Sequence, residues 1–64
     1  MDEPGPDVVK RLVHDLRTPL TIVEGFAHLL ERDDEKLGPE QRAEYAHRIK
    51  DAAGEMRAML DRVD

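Results

Sequence analysis

Apolar residues recur along this chain at helical spacing, in two runs separated by a polar break. In the first run Val9, Leu12, Val13, Leu16, Leu20, Val23, Ala27 and Leu30 follow at steps of three, four and one. That is the repeat of a helix with one face turned to a core. Asp7 reads as its N-cap, and the pattern stops near Arg32. Asp33-Asp34-Glu35-Lys36-Leu37-Gly38 reads as a polar turn, after which Pro39 suits the first position of a second helix, with Glu40 favouring its dipole. Gly38 is a weaker cap there than serine or threonine. In the second run Ala46, Ile49, Ala53, Met56, Leu60 and Val63 alternate steps of three and four, the seam of a bundle or coiled coil, with Tyr45, Ala52 and Met59 as a flanking row. The expectation is a helix over 7–32, a turn over 33–38 and a helix over 39–63, behind a lead-in over 1–6 broken by prolines and a glycine. Helices of matched length, each roughly 38 Å long, joined by a short turn make an antiparallel hairpin. Nothing in the pattern suggests a strand or an internal repeat.

A hairpin of this size needs help. Its 64 residues bury too little apolar surface for comfortable stability alone. Cysteine is absent, which removes disulfides, and three histidines without it make a structural zinc site a poor prospect. Self-association remains. The first helix also carries more apolar surface than one interface uses: its main stripe centres on Val9, Leu16, Leu20 and Ala27, while Ile22, Phe26 and Leu29 lie on a different side. Left in water, that second patch would be an interaction surface. Two hairpins packed about a two-fold axis resolve both problems. The expected fold class is therefore all-α, an antiparallel helical hairpin that homodimerises into a four-helix bundle. The net charge of -5 argues against nucleic acid or an anionic membrane surface as partner. No apolar run approaches a membrane span and no signal-peptide pattern opens the chain. A soluble segment is expected, any membrane anchor lying in sequence outside it.

The chemistry concentrates on the first helix. His14 points about 140° from the stripe centre, into solvent. Thr18 lies on the same face, and Thr21 and Gly25 continue the row. A neutral imidazole is a competent nucleophile, and a phosphorylated ring nitrogen remains a good donor. A carboxylate can hold the proton of the other ring nitrogen and fix the tautomer. Asp15 is adjacent, but neighbouring residues on a helix do not face each other squarely, so spacing alone does not give it that role. Thr18-Pro19 can be read as N-cap and first residue of a new helix. The apolar phase runs straight through Leu16, Leu20 and Val23, which favours one continuous helix bent at Pro19, a residue that cannot donate to the Asp15 carbonyl. Arg17 reads as solvated or ion-paired, with a phosphate-facing role as the alternative. His28 and His47 read as surface residues, and His14 and His28, about 21 Å apart along one helix, cannot share a metal. Met56 and Met59 read as core packing.

The segment His14-Asp15-Leu16-Arg17-Thr18-Pro19-Leu20 resembles the phosphoacceptor box of sensor histidine kinases, in their dimerization and histidine phosphotransfer domain. The resemblance extends over 7–64, where the closing Met56-Arg57-Ala58-Met59-Leu60-Asp61-Arg62-Val63-Asp64 is similar to the family's leucine-rich end. Departures are minor: Val13 stands where serine is common, and Gly38 where serine or threonine is usual. The resemblance implies that His14 accepts the γ-phosphoryl of ATP from a separate catalytic domain and passes it to an aspartate on a response-regulator receiver domain. Asp15 would be the acid/base residue, and Thr18 would orient a water for dephosphorylating the regulator. The regulator would dock near Thr21, Ile22, Gly25 and Phe26. Neither a glycine-rich phosphate loop nor an asparagine-bearing magnesium motif occurs in the sequence. ATP and Mg are therefore expected on the catalytic domain, no cofactor or metal on this chain, and no autophosphorylation by it alone. The expectation is an excised, cytoplasmic piece of a longer, membrane-anchored or soluble kinase. Three rival readings stand beside it. A stand-alone histidine phosphotransfer protein is usually larger; a His-Asp phosphohydrolase needs converging metal ligands; a phosphotransfer-inactive dimerization module would keep the histidine as a relic.

Overall fold

The computed structural model describes residues 5–32 and 36–63. Positions 1–4 of the expected lead-in and 33–35 of the expected turn lie outside the described residues. The chain forms two helices, α1 (Pro6–Arg32) and α2 (Pro39–Asp61), packed as an antiparallel hairpin.

Each helix starts on a glycine-proline step. The Gly5 carbonyl accepts the amides of Val8 at 3.0 Å and Val9 at 3.2 Å, so α1 begins at Pro6 and Asp7 falls in its first turn rather than at the N-cap. Proline fixes φ and has no N–H to leave unsatisfied, which suits the first helical position better than the capping carboxylate expected there. Asp7 still complements the positive end of the dipole, and Arg32 the negative end. Gly38 caps α2 in an extended conformation without a side-chain bond, its carbonyl accepting the Arg42 amide at 3.0 Å. At the far end α2 stops at Asp61, two residues short of the expected 63, because the Val63 amide closes a tighter turn onto the Leu60 carbonyl at 3.2 Å.

The hairpin's inner seam differs from the expected one on both helices. On α1 the less exposed positions are Leu12, Leu16, Pro19, Val23, Phe26 and Leu30, and on α2 they are Tyr45, Ile49, Ala52, Met56 and Met59. Both sets alternate steps of three and four without a break, as a coiled-coil seam does. The row expected to flank α2, Tyr45, Ala52 and Met59, therefore faces α1, whereas Ala46, Ala53 and Leu60 are exposed. Likewise Val9 and Leu20, placed at the centre of the α1 stripe by spacing, are exposed. Phe26, expected in an outer patch with Ile22 and Leu29, turns inward: its ring lies 5.2 Å from that of Tyr45 at 44°, a tilted pairing worth about 0.5–1.5 kcal/mol beyond the area it buries. Gln41 Nε2 donates to the Tyr45 hydroxyl at 3.2 Å and holds that ring from outside.

The Phe26–Tyr45 contact fixes the register. One heptad earlier on α1 is Pro19 and one heptad later on α2 is Ala52, the buried residues among those described. A proline inside a helix costs roughly 3 kcal/mol or more, yet α1 runs through it unbroken. Its ring fills the seam where Ala52, 2% exposed, is small enough to let the helices approach.

Two outer faces follow from this register. Residues one position after the seam rows, Val13, Leu20 and Ala27 on α1 and Ala46, Ala53 and Leu60 on α2, fall on the same side of an antiparallel pair. All are apolar and exposed. On the opposite side Ile22 and Leu29 of α1 stand beside the polar row Arg48, Glu55 and Arg62 of α2. The molecule exposes 5555 Å², against about 4,200 Å² for a compact monomer of its mass. Replacing Ala52 with leucine should overpack the seam and lower stability by about 1–3 kcal/mol in urea unfolding. The same change at the exposed Ala43 should stay within about 0.5 kcal/mol.

Candidate functional site

His14 lies two residues past Leu12 on the seam, roughly 200° round the helix from it, on the crest of α1. Its side chain is 85% exposed, and Nδ1 lies 3.3 Å from Asp15 Oδ1, on a carboxylate 50% exposed. Adjacent helical residues rarely meet, but both side chains are free of packing and swing together. With the Nδ1 proton donated to the carboxylate, the Nε2 lone pair is left pointing into open solvent. The arrangement has the parts of an accessible nitrogen nucleophile: an outward lone pair, and an acid placed to hold the tautomer and offset positive charge on the ring.

Thr18 is exposed one turn further on, and no hydrogen bond occupies its hydroxyl among the described residues. The Thr21 hydroxyl, by contrast, donates to the Arg17 carbonyl at 2.8 Å, so it is tied to the backbone near the Pro19 interruption. Ile22, Gly25 and Phe26 share a shallow apolar depression with Leu29. Thr21 does not line it, and Leu29 enlarges the expected set. A Cβ at Gly25 would meet nothing within 4 Å, so the glycine leaves the approach open rather than relieving a clash. Asp15, Ile22 and Leu29 are a heptad apart and line up on one flank, so the acid side of His14 opens toward this depression.

The other side holds Arg17 and a residue, Lys10, that spacing had left without a role. Lys10 and Arg17 line an open depression with His14, floored by Val9 and Val13. The signal was present in the sequence: they stand four residues before and three after the histidine, the distances at which helical side chains neighbour one another. His28 and His47 are exposed, as spacing suggested, with His47 Nε2 3.3 Å from Asp51 Oδ2. Among the described residues no group of three His, Asp or Glu side chains is arranged to hold a metal ion, and no helix is long and apolar enough to cross a membrane.

Comparison with known proteins agrees with this geometry. Residues 7–64 match the model of the His Kinase A (phospho-acceptor) domain. The chain belongs to that family. It is also 36% identical over 55 residues to the sensor protein VanS of Enterococcus faecium, an alignment covering 86% of this chain and 14% of the relative. The chain thus spans about one seventh of the length of the curated relative it matches. No solved structure gave a significant match. The hairpin is thus a phospho-acceptor domain of the His Kinase A family.

The Asp15 contact has a spectroscopic consequence. In 15N-detected NMR of the neutral imidazoles, His14 should show a larger Nδ1–H tautomer fraction than His28. Asp15→Ala should remove the difference; an identical tautomer ratio in both chains would show that the carboxylate does not hold the ring.

Proposed function

We propose that His14 is the phosphoacceptor of a two-component relay. The observation that carries this reading is the outward Nε2 of a ring 85% exposed, backed at Nδ1 by the Asp15 carboxylate, in a chain of the phospho-acceptor family. The Nε2 lone pair attacks the γ-phosphorus of ATP presented by a separate catalytic domain. The N–P bond forms as the bond from phosphorus to the β,γ-bridging oxygen breaks, and ADP leaves with the electron pair. Asp15 holds the Nδ1 proton and compensates the charge that develops on the ring. In the second transfer a carboxylate oxygen of a receiver-domain aspartate attacks the same phosphorus, and the P–N electrons return to Nε2. ATP and Mg²⁺ are held by the catalytic domain, and no residue of this chain is assigned to either.

Thr18, with its uncommitted hydroxyl, is the residue proposed to orient a water for dephosphorylating the regulator. The depression formed by Ile22, Gly25, Phe26 and Leu29, together with Thr21 on the same helix, is the proposed seat of the receiver domain. The apolar side face of Val13, Leu20, Ala27, Ala46, Ala53 and Leu60 is the proposed homodimer interface. It supplies the second layer that a hairpin exposing 5555 Å² lacks, and makes the four-helix bundle. The relay is proposed to work in the cytoplasm, within a longer kinase whose sensing and anchoring segments lie outside this sequence.

Incubation with a competent catalytic domain and ATP should give an acid-labile phosphoryl label on His14, absent in His14→Gln. Asp15→Ala should slow labelling by about 10²–10⁴-fold, the usual weight of a positioned acid/base group, without changing helicity. Label that survives His14→Gln, or fails to form with a donor that labels its own cognate domain, would exclude the assignment.

A further inference from the structure

The chain carries a net charge of -5, yet the turns around His14 reverse that sign. Lys10, Arg11 and Arg17 stand four before, three before and three after it, all helical neighbours, and Lys10 and Arg17 line the same open depression. Neither of these two cations forms an ion pair with any described residue. At about 100° per residue, Lys10 and Arg17 fall on one flank of the imidazole and Asp15 on the other, where it meets Nδ1 at 3.3 Å. The other histidines have a net acidic set of helical neighbours. His28 sits between Glu24 and Glu31 at the same two spacings, with Arg32 beyond. His47 has Lys50 three residues after it, but Glu44 three before and Asp51 four after, the last 3.3 Å from its Nε2.

We infer that Lys10 and Arg17 form a cationic bracket that attracts and positions an anionic phosphoryl donor beside His14, so that local charge selects this imidazole from the exposed histidines of the chain. The inference rests on the proposed phosphoacceptor role and adds positioning residues to it. A phosphoryl donor at neutral pH is anionic. Its approach to Nε2 brings negative charge against the bracket, while the same approach to His28 meets two carboxylates. Asp15 would repel the donor too, but it is on the far flank and its charge is engaged by the ring nitrogen. Because the bracket is exposed, each cation should matter by only about two- to fivefold, and salt should screen it.

The test uses the whole chain and potassium phosphoramidate, a small anionic donor that needs no catalytic domain. Nε2 forms the N–P bond, the donor's own P–N bond breaks, and ammonia leaves. Site-resolved mass spectrometry follows labelling at each histidine. At low ionic strength His14 should label several-fold faster than His28 or His47. The Lys10→Gln/Arg17→Gln chain should label His14 about tenfold more slowly, near the unchanged rate of His28, with the same circular dichroism spectrum. Lys10→Arg should keep the wild-type rate, and molar salt should erase the His14 advantage. An unaltered His14 rate in the double variant, or an advantage that persists in molar salt, overturns the bracket. If His14 is labelled by a catalytic domain and ATP while phosphoramidate fails to discriminate, only the bracket falls. If His14 accepts nothing from either donor, the phosphoacceptor reading falls with it.

Discussion

The packing of Pro19 into the seam opposite Ala52 fixes where everything else on this hairpin points. A helix can meet its partner along one stripe, and once residues 12, 16, 19, 23, 26 and 30 of α1 take that stripe, the position two past Leu12 is thrown to the outside. His14 is exposed because the seam is where it is. The Phe26–Tyr45 contact holds the same register one heptad away, so the aromatic pair at one level and the imidazole at another are consequences of a single alignment. A proline that costs helix stability is tolerated where its ring is buried and its missing N–H interrupts α1 only one turn beyond the histidine.

The existence of the helices, their approximate extents and the outward direction of His14 were legible from apolar spacing alone. The seam was not, for a reason visible in the residues. Ala46, Ala53 and Leu60 repeat as regularly as Tyr45, Ala52 and Met59, and both rows flank Ile49 and Met56. Periodicity finds apolar rows but cannot say which one meets α1 and which remains for another partner. Spacing put Tyr45 in the flanking row, yet its ring carries the contact with Phe26 while Gln41 occupies the hydroxyl. The sequence reads Asp7 as the N-cap behind a lead-in that ends at Pro6, whereas α1 starts at Pro6 on the Gly5 carbonyl, because proline suits the first helical position.

At the site, the box around His14 was evident in the sequence, and the Asp15 contact became evident only in three dimensions. Helical angles place adjacent residues about 100° apart, which hides a contact that two unpacked side chains make by bending toward each other. Lys10 was visible only as a charge, and Arg17 as a solvated or phosphate-facing one, until both shared a depression with the ring. The result is a division of labour around one helix. One stripe builds the hairpin, an adjacent apolar face is the one proposed for a second copy, the opposite flank carries the depression proposed for a receiver domain, and the crest presents the proposed nucleophile.

Isotope-filtered NOE spectroscopy on a mixture of labelled and unlabelled chains separates contacts within one chain from contacts between copies. Cross-peaks from Phe26 to Tyr45 and from Leu12 to Met59 should arise within a chain, those among Leu20, Ala53 and Leu60 between chains, and the His14 ring should show none to α2. Intrachain cross-peaks from Ala53 to Leu16 and from Leu60 to Leu12, with the His14 ring in contact with α2, would mean that the seam lies elsewhere and that the exposed imidazole is not a product of this fold.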